Sequence, residues 1–105
     1  MEVFLVKVIK RDGQTVDFDR MKIVVAIQKA NAAVDEDYRV TQAQIDAIAD
    51  SVESLRRPRL LVEDIQDMVE RKLVETGKYE LSKTYIIYRY IRSLARKQNT
   101  TDESI

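Results

Sequence analysis

The segment VIKRDGQTVDF, residues 8–18, decides the fold because it predicts a β-hairpin near the start of the chain. Residues 3–10 are mostly β-branched, aromatic or aliphatic, which is typical of a strand. Asp12-Gly13 is a tight-turn dipeptide, since glycine accepts a positive φ without steric cost. Residues 15–18 then predict the returning strand.

Four helices are predicted after the hairpin because apolar residues recur there at three- and four-residue spacing. They cover residues 20–34, 42–56, 63–76 and 80–97. Asp19 is the expected N-cap of the first helix, and Thr41 with Gln44 has the capping-box form before the second. Pro58 forces the second helix to end before it, and Gly77 lies where the third helix needs a left-handed residue.

A third short strand is predicted at residues 59–61, where it would join the hairpin. Each helix has one apolar stripe and a charged back, so the helices must bury their stripes together. The predicted fold class is therefore α+β, with a small three-stranded sheet capping a bundle of about four helices. On the fourth helix the residues expected to face inward are Leu81, Tyr85, Tyr88, Ile91 and Ala95.

The length of 105 residues is typical of one domain. We expect that domain to cover residues 1–97, and residues 98–105 to form a flexible tail or the start of a linker to a catalytic domain. No apolar run approaches the roughly 20 residues of a membrane helix. The N-terminus has no signal-peptide pattern, so we expect a cytoplasmic protein without a membrane partner.

Composition excludes several functions. The 18 basic and 18 acidic side chains balance, which argues against a general nucleic-acid binder. The chain has no cysteine and no histidine, which removes thiolate chemistry, zinc ribbons and imidazole bases. We therefore expect neither a catalytic site nor a protein metal site.

The balanced charge is unevenly distributed along the chain. Residues 31–56 carry six acids and two bases, whereas residues 81–97 carry five bases and no acid. Arg89, Arg92 and Arg96 are spaced by three and four, so they share one helix face. This face is either a solvated surface or, if the sheet packs over the helices, part of a site for a polyphosphate.

The hairpin turn is the second basic region. A tight Asp-Gly turn directs backbone N–H groups outward, and these can hold a phosphate between the flanking Lys10 and Arg11. Lys22 follows in the first turn of the next helix, near its partly positive N-terminus. The same residues also fit plain structural roles, with Asp12 as a turn residue and Asp19 as a helix cap.

Three segments occur in an order and spacing that resembles the ATP-cone domain over about residues 3–97. The segments are Val8–Gly13 followed by Phe18, Lys22-Ile23 and Ala26-Ile27; then Val62–Glu70; then Tyr85–Arg92. Residues 96–105 are in turn similar to the segment that leads into the body of anaerobic, glycyl-radical (class III) ribonucleotide reductases. Two residues depart from some members of the family, which have His at the position of Gln66 and Asn at that of Asp19.

The resemblance implies a helical bundle capped by a small sheet, and an allosteric regulatory role. ATP would activate and dATP would inhibit a ribonucleotide reductase, through its oligomeric state or access to its active site. The implied partners are adenine nucleotides with the Mg2+ they carry, the catalytic body of the parent reductase, and further copies of the chain. Resemblance and charge pattern together give the candidate nucleotide-binding residues: Val8, Lys10, Arg11, Asp12, Gly13, Asp19, Lys22, Val62, Gln66, Arg89 and Arg92.

Two other functions stay open from the residues alone. A nucleic-acid-binding module would use the arginine face of the fourth helix, and its binding would weaken with salt. A plain oligomerisation module would instead place apolar positions outside the bundle against a partner chain.

Overall fold

A computed structural model describes the backbone of residues 6–55 and 57–103 and the side chains of residues 6–55 and 57–95. The first residues of the predicted N-terminal strand, Arg56, and the side chains of Arg96 and Lys97 lie outside these ranges. Within the described part of the chain, no helix has both the length and the apolar character needed to cross a membrane.

The sheet contains three short strands, as predicted. Strands β1 (Lys7–Ile9) and β2 (Thr15–Asp17) are antiparallel, and β3 (Arg59–Leu61) lies parallel to β1 on its other side. Val8 pairs with Val16 on one side and Leu60 on the other, so β1 is the central strand. The sheet therefore joins the start of the chain to the segment before the third helix.

Four helices follow the expected order. They are α1 (Arg20–Ala32), α2 (Gln42–Glu53), α3 (Val62–Glu75) and α4 (Tyr79–Glu103), with a 3-10 turn at Glu36–Tyr38. α2 ends at Glu53, earlier than its predicted end at residue 56, and α4 continues past its predicted end at residue 97. The role of residues 98–105 as a linker stays a prediction.

The caps explain why the helices begin and end where they do. The Asp19 carboxylate accepts a hydrogen bond from the backbone N–H of Met21 at 3.0 Å, which confirms it as the α1 cap. Thr41 and Gln44 form the predicted capping box at the start of α2. Gly77 has a φ of +79°, as needed between α3 and α4.

The core lies where the helices meet under the sheet. α1 packs on α2 and α4, and α3 packs on the same two helices, so the four helices form a closed ring. Its fully buried large side chains are Ile27, Ile45, Val52, Val69, Leu73 and Leu81. Val8 and Leu60 extend this core into the sheet.

The predicted inward stripe of α4 is wrong beyond Tyr85. Tyr88 is only half-buried and Ala95 is exposed, while Ile91 is 57% exposed. From Tyr85 the face toward the bundle continues through Arg89 and Arg92, which turns Ile91 to solvent. The opposite side of the helix, the outer α4 face, is apolar and consists of Ile86, Ile87, Tyr90, Ile91 and Leu94.

Candidate functional site

A cavity of about 630 Å³ lies between the hairpin strands, α1, α3 and α4. It is formed because the sheet covers one side of the helical ring and leaves space above the buried residues. Eight of the eleven candidate site residues line it: Val8, Lys10, Asp19, Lys22, Val62, Gln66, Arg89 and Arg92. The structure thus brings the two ends of the chain together around one space.

The other three candidates, Arg11, Asp12 and Gly13, are not among the lining residues. The Asp12 carboxylate accepts a hydrogen bond from the N–H of Gln14 at 2.9 Å, and the N–H of Gly13 donates to the carbonyl of Lys10 at 2.9 Å. These two amides are used inside the turn, which Gly13 supports with a φ of +87°. The binding of a phosphate by the turn stays a prediction.

Four cations line the cavity without a carboxylate partner among the described residues: Lys10, Lys22, Lys29 and Arg92. The two lining acids are engaged elsewhere, since Asp17 pairs with Lys7 and Asp19 caps α1. Grouped cations without counter-ions create a positive potential that attracts anions. The cavity is therefore suited to a ligand with several negative charges.

Arg89 differs from these four cations because its charge is compensated by α3. Its guanidinium lies 3.1 Å from Glu63 and 3.9 Å from Asp67, and it also pairs with Glu70. Its side chain is only 19% exposed. Residues 81–97 contain no acid of their own, yet Arg89 is neutralised because acids from α3 reach it.

Arg92 is held along the cavity by a neighbour on its own helix. Its Nη1 donates to the Tyr88 hydroxyl at 3.3 Å, and its guanidinium lies 5.8 Å from the centre of that ring. This hydrogen bond lowers the pKa of the Tyr88 hydroxyl, and the charge of Lys29 acts in the same direction. Arg92 is also exposed, so its guanidinium is accessible to an anion.

The rest of the cavity is apolar, with one polar exception. Val8, Ile65 and Val69 contribute buried side chains, and burial raises the pKa of Tyr85 to about 12. Gln66 Oε1 is buried without a hydrogen-bond partner among the described residues. Such an atom costs about 1–3 kcal/mol, so a ligand that donates a hydrogen bond here is favoured.

Lys29 and Tyr88 belong to the site but were missed as candidates. The sequence contains a signal for Lys29, because this residue follows Lys22 by seven positions and so lies two turns along the same face of α1. Tyr88 was assigned to the core or its rim, and its partner Arg92 four residues later was a usable signal. The described residues contain no cluster of three or more metal-ligating side chains.

Fold and cavity together define a small α+β domain whose cation-lined, partly apolar cavity suits a phosphorylated organic ligand. Comparison with family models agrees with this class: the model of the ATP cone domain matches residues 6–94. The chain belongs to the ATP-cone family. In ribonucleotide reductases this domain is a nucleotide-binding regulatory module.

The most similar proteins found include reductases of several kinds. The ribonucleoside-diphosphate reductase subunit alpha of Chlamydia muridarum is 33% identical over 93% of this chain and 10% of its own length. The vitamin B12-dependent reductase of Mycobacterium tuberculosis H37Rv is 42% identical over 86% of this chain and 12% of its own length. The anaerobic ribonucleoside-triphosphate reductase of Haemophilus influenzae is 33% identical over 89% of this chain and 13% of its own length. The chain thus spans about a tenth of each relative.

Proposed function

We propose that this domain binds ATP and dATP in the cavity and thereby regulates a ribonucleotide reductase, with ATP activating and dATP inhibiting. One observation carries this function: Lys10, Lys22, Lys29 and Arg92 line a single cavity without carboxylate partners among the described residues. A triphosphate supplies the missing negative charge, and charge-assisted hydrogen bonds to phosphate are among the stronger ones in proteins.

The two parts of a nucleotide suit two parts of the cavity. The phosphates, with the Mg2+ they carry, would lie toward the four cations. The base and sugar would lie toward the apolar wall, near Val62 and Gln66. There the buried Oε1 of Gln66 accepts a hydrogen bond from an amino or hydroxyl group.

Regulation requires more than binding, because ATP and dATP differ by one hydroxyl. Each nucleotide must interact differently with two states of the parent enzyme. We propose that these states differ in oligomeric arrangement or in access to the active site. From the similarity of residues 96–105 to the linker of the anaerobic enzymes, we propose a class III parent in the cytoplasm. The Haemophilus influenzae relative is compatible with this proposal, as relatives of other classes are with other parents.

Calorimetric titration of the 105-residue chain with ATP, dATP and inorganic triphosphate tests the proposal. We expect saturable binding of both nucleotides, and weaker binding of inorganic triphosphate, which has no group to occupy the apolar wall or reach Gln66. Absence of binding by either nucleotide at millimolar concentration contradicts the function. Equal affinity for inorganic triphosphate contradicts the placement of base and sugar.

The outer α4 face favours oligomerisation as a second function, compatible with the first. Its five large apolar side chains are between 39% and 63% exposed, and contiguous exposed apolar surface commonly marks an interface. Sedimentation velocity over a range of concentrations, with and without dATP, measures this directly. If the chain is a monomer under all conditions, the oligomerisation function is contradicted. The nucleic-acid alternative loses support, because Arg89 of its arginine face is neutralised by α3.

A further inference from the structure

The carboxylate of Glu63 joins two arginines that the sequence assigned to the nucleotide. Its Oε1 pairs with Arg11 Nε and its Oε2 with Arg89 Nη2. Arg11 Nη1 also donates to the hydroxyl of Ser93 on α4. Glu63 is in the first turn of α3, where the helix dipole favours a carboxylate. The hairpin turn is thus fastened to both α3 and α4 through one guanidinium.

The two arginines are held with different strength. Arg89 is 19% exposed and has three acidic neighbours, so it stays in place if Glu63 is removed. Arg11 is 37% exposed and Glu63 47%, and an exposed pair of this kind contributes little to stability because water and salt screen it. Arg11 is therefore the exchangeable member of the network.

Arg11 also lies next to the cavity without entering it. Lys10, its neighbour in the chain, lines the cavity, and so does Arg89, with which Arg11 shares Glu63. A phosphate held by these two side chains would be close to Arg11. Phosphate accepts charge-assisted hydrogen bonds from guanidinium as a carboxylate does, and a polyphosphate carries more negative charge than the single Glu63 carboxylate.

We propose that Glu63 is an internal competitor of the nucleotide, a latch that holds Arg11 away from the cavity until a polyphosphate takes its place. This inference rests on the proposed function. Only molecules in which Arg11 is released bind the nucleotide with full affinity. The latch therefore lowers the apparent affinity in proportion to the fraction of such molecules. Its opening also breaks the Arg11–Ser93 contact, so that nucleotide binding frees the hairpin turn from α4.

Titration of ATP into Glu63→Gln, with Glu75→Gln as the matched control, tests the latch. Glu75 is also on α3, but it pairs with Lys72 and does not line the cavity, so its substitution measures the effect of charge alone. We expect Glu63→Gln to bind ATP about threefold more tightly than the wild type, because releasing an exposed pair is worth about 0.2–1 kcal/mol. Glu75→Gln should remain near the wild-type value.

A double-mutant cycle with Arg11→Gln separates the latch from general electrostatics. If Glu63 acts through Arg11, Glu63→Gln adds nothing in the Arg11→Gln background. Ser93→Ala, which removes the other anchor of Arg11 without changing charge, should tighten binding slightly and covers the case in which Glu63→Gln folds poorly. Equal affinities of Glu63→Gln and Glu75→Gln, or an unchanged effect of Glu63→Gln without Arg11, overturn the latch. If the wild type does not bind ATP, the proposed function fails first.

Discussion

Helix α1 has cations on the side that faces α2 and on the side that faces the cavity, and only those facing α2 are paired with acids. On the side of α2, Arg20 lies 2.6 Å from Asp50, 3.1 Å from Glu53 and 4.0 Å from Asp46. On the side of the cavity, Lys22 and Lys29 have no carboxylate partner among the described residues. The net charge of zero therefore does not reveal that α1 has one region where cations are paired and another where they are not.

Under the proposed function, this difference distinguishes cations that stabilise the fold from cations that bind the nucleotide. The arginine–acid cluster fastens α1 to α2. The cavity cations have no such partners among the described residues, so without a bound anion they add no ion pair that stabilises the fold. Removing cations from the two regions should thus have opposite consequences for binding and for stability.

The largest expected effect comes from removing two unpaired cations. Lys22→Ala with Arg92→Ala should weaken ATP binding by more than about 100-fold, because each charge-assisted hydrogen bond contributes about 1.5–3 kcal/mol and two are lost. The thermal stability without ATP should stay close to that of the wild type, because neither cation has a carboxylate partner among the described residues. Calorimetry and a thermal melt measure the two quantities.

The matched control removes two paired cations. Arg20→Ala with Lys72→Ala changes the net charge equally, but both residues have acidic partners outside the cavity. Its ATP affinity should stay within about twofold of the wild type, the scale of a change at a screened distance. If the two double variants weaken binding alike, pairing does not distinguish the regions.

Arg89 tests whether ion pairing, and not position at the cavity, makes a cation stabilise the fold, because it lines the cavity and is also paired with acids of α3. Arg89→Met should destabilise the domain by about 2 kcal/mol, because it leaves the half-buried Glu70 carboxylate without its cation. Urea unfolding measures this loss. Adding Glu70→Gln should restore most of it, and failure of that rescue would show that packing, not charge, is lost.

Tyr85 makes the cavity side sensitive to alkali. Burial raises its folded pKa to about 12, above the ordinary value of 10, so its stabilising contribution is complete below pH 10 and lost as the pH rises toward 12. The effect should be about 1–2 kcal/mol, since one pKa unit corresponds to about 1.4 kcal/mol and the ring retains some solvent access. Unfolding curves of wild type and Tyr85→Phe at both ends of this range give the difference. Parallel loss of stability in both proteins contradicts the assignment.

Local rules account for most of the fold that the sequence predicted. Asp19 and Thr41 cap helices and Gly77 supplies a left-handed residue, and each acts through the backbone within a few positions. α2 ends at Glu53, before the position that Pro58 restricts. The strand at residues 59–61 was predictable for the same reason. Such signals need no knowledge of distant partners.

The inward face of α4 and the ion pairs of Arg89 and Arg11 depend on tertiary contacts, so they could not be predicted from local sequence. Ile91 and Arg92 follow Tyr88 by three and four residues, so helical spacing allows either of them to continue the inward face of α4. In the structure it is Arg92 that lines the cavity. The pairing of Arg89 with α3 and of Arg11 with Glu63 links residues far apart in the chain, so spacing on one helix could not reveal it. Lys29 shows the converse, since its seven-residue spacing from Lys22 on the same face of α1 is visible in the sequence alone.

The smallest expected effect is on the paired side of α1. Arg20→Gln should lower the free energy of unfolding by less than about 1 kcal/mol and leave ATP affinity unchanged, because its three partners are all more than 45% exposed and solvent screens them. The loss should shrink further at high salt, which urea unfolding at low and high ionic strength can resolve. A salt-independent loss of several kcal/mol would instead mean that Arg20 positions α1 by packing. The paired and unpaired regions would then differ in geometry and not only in charge balance.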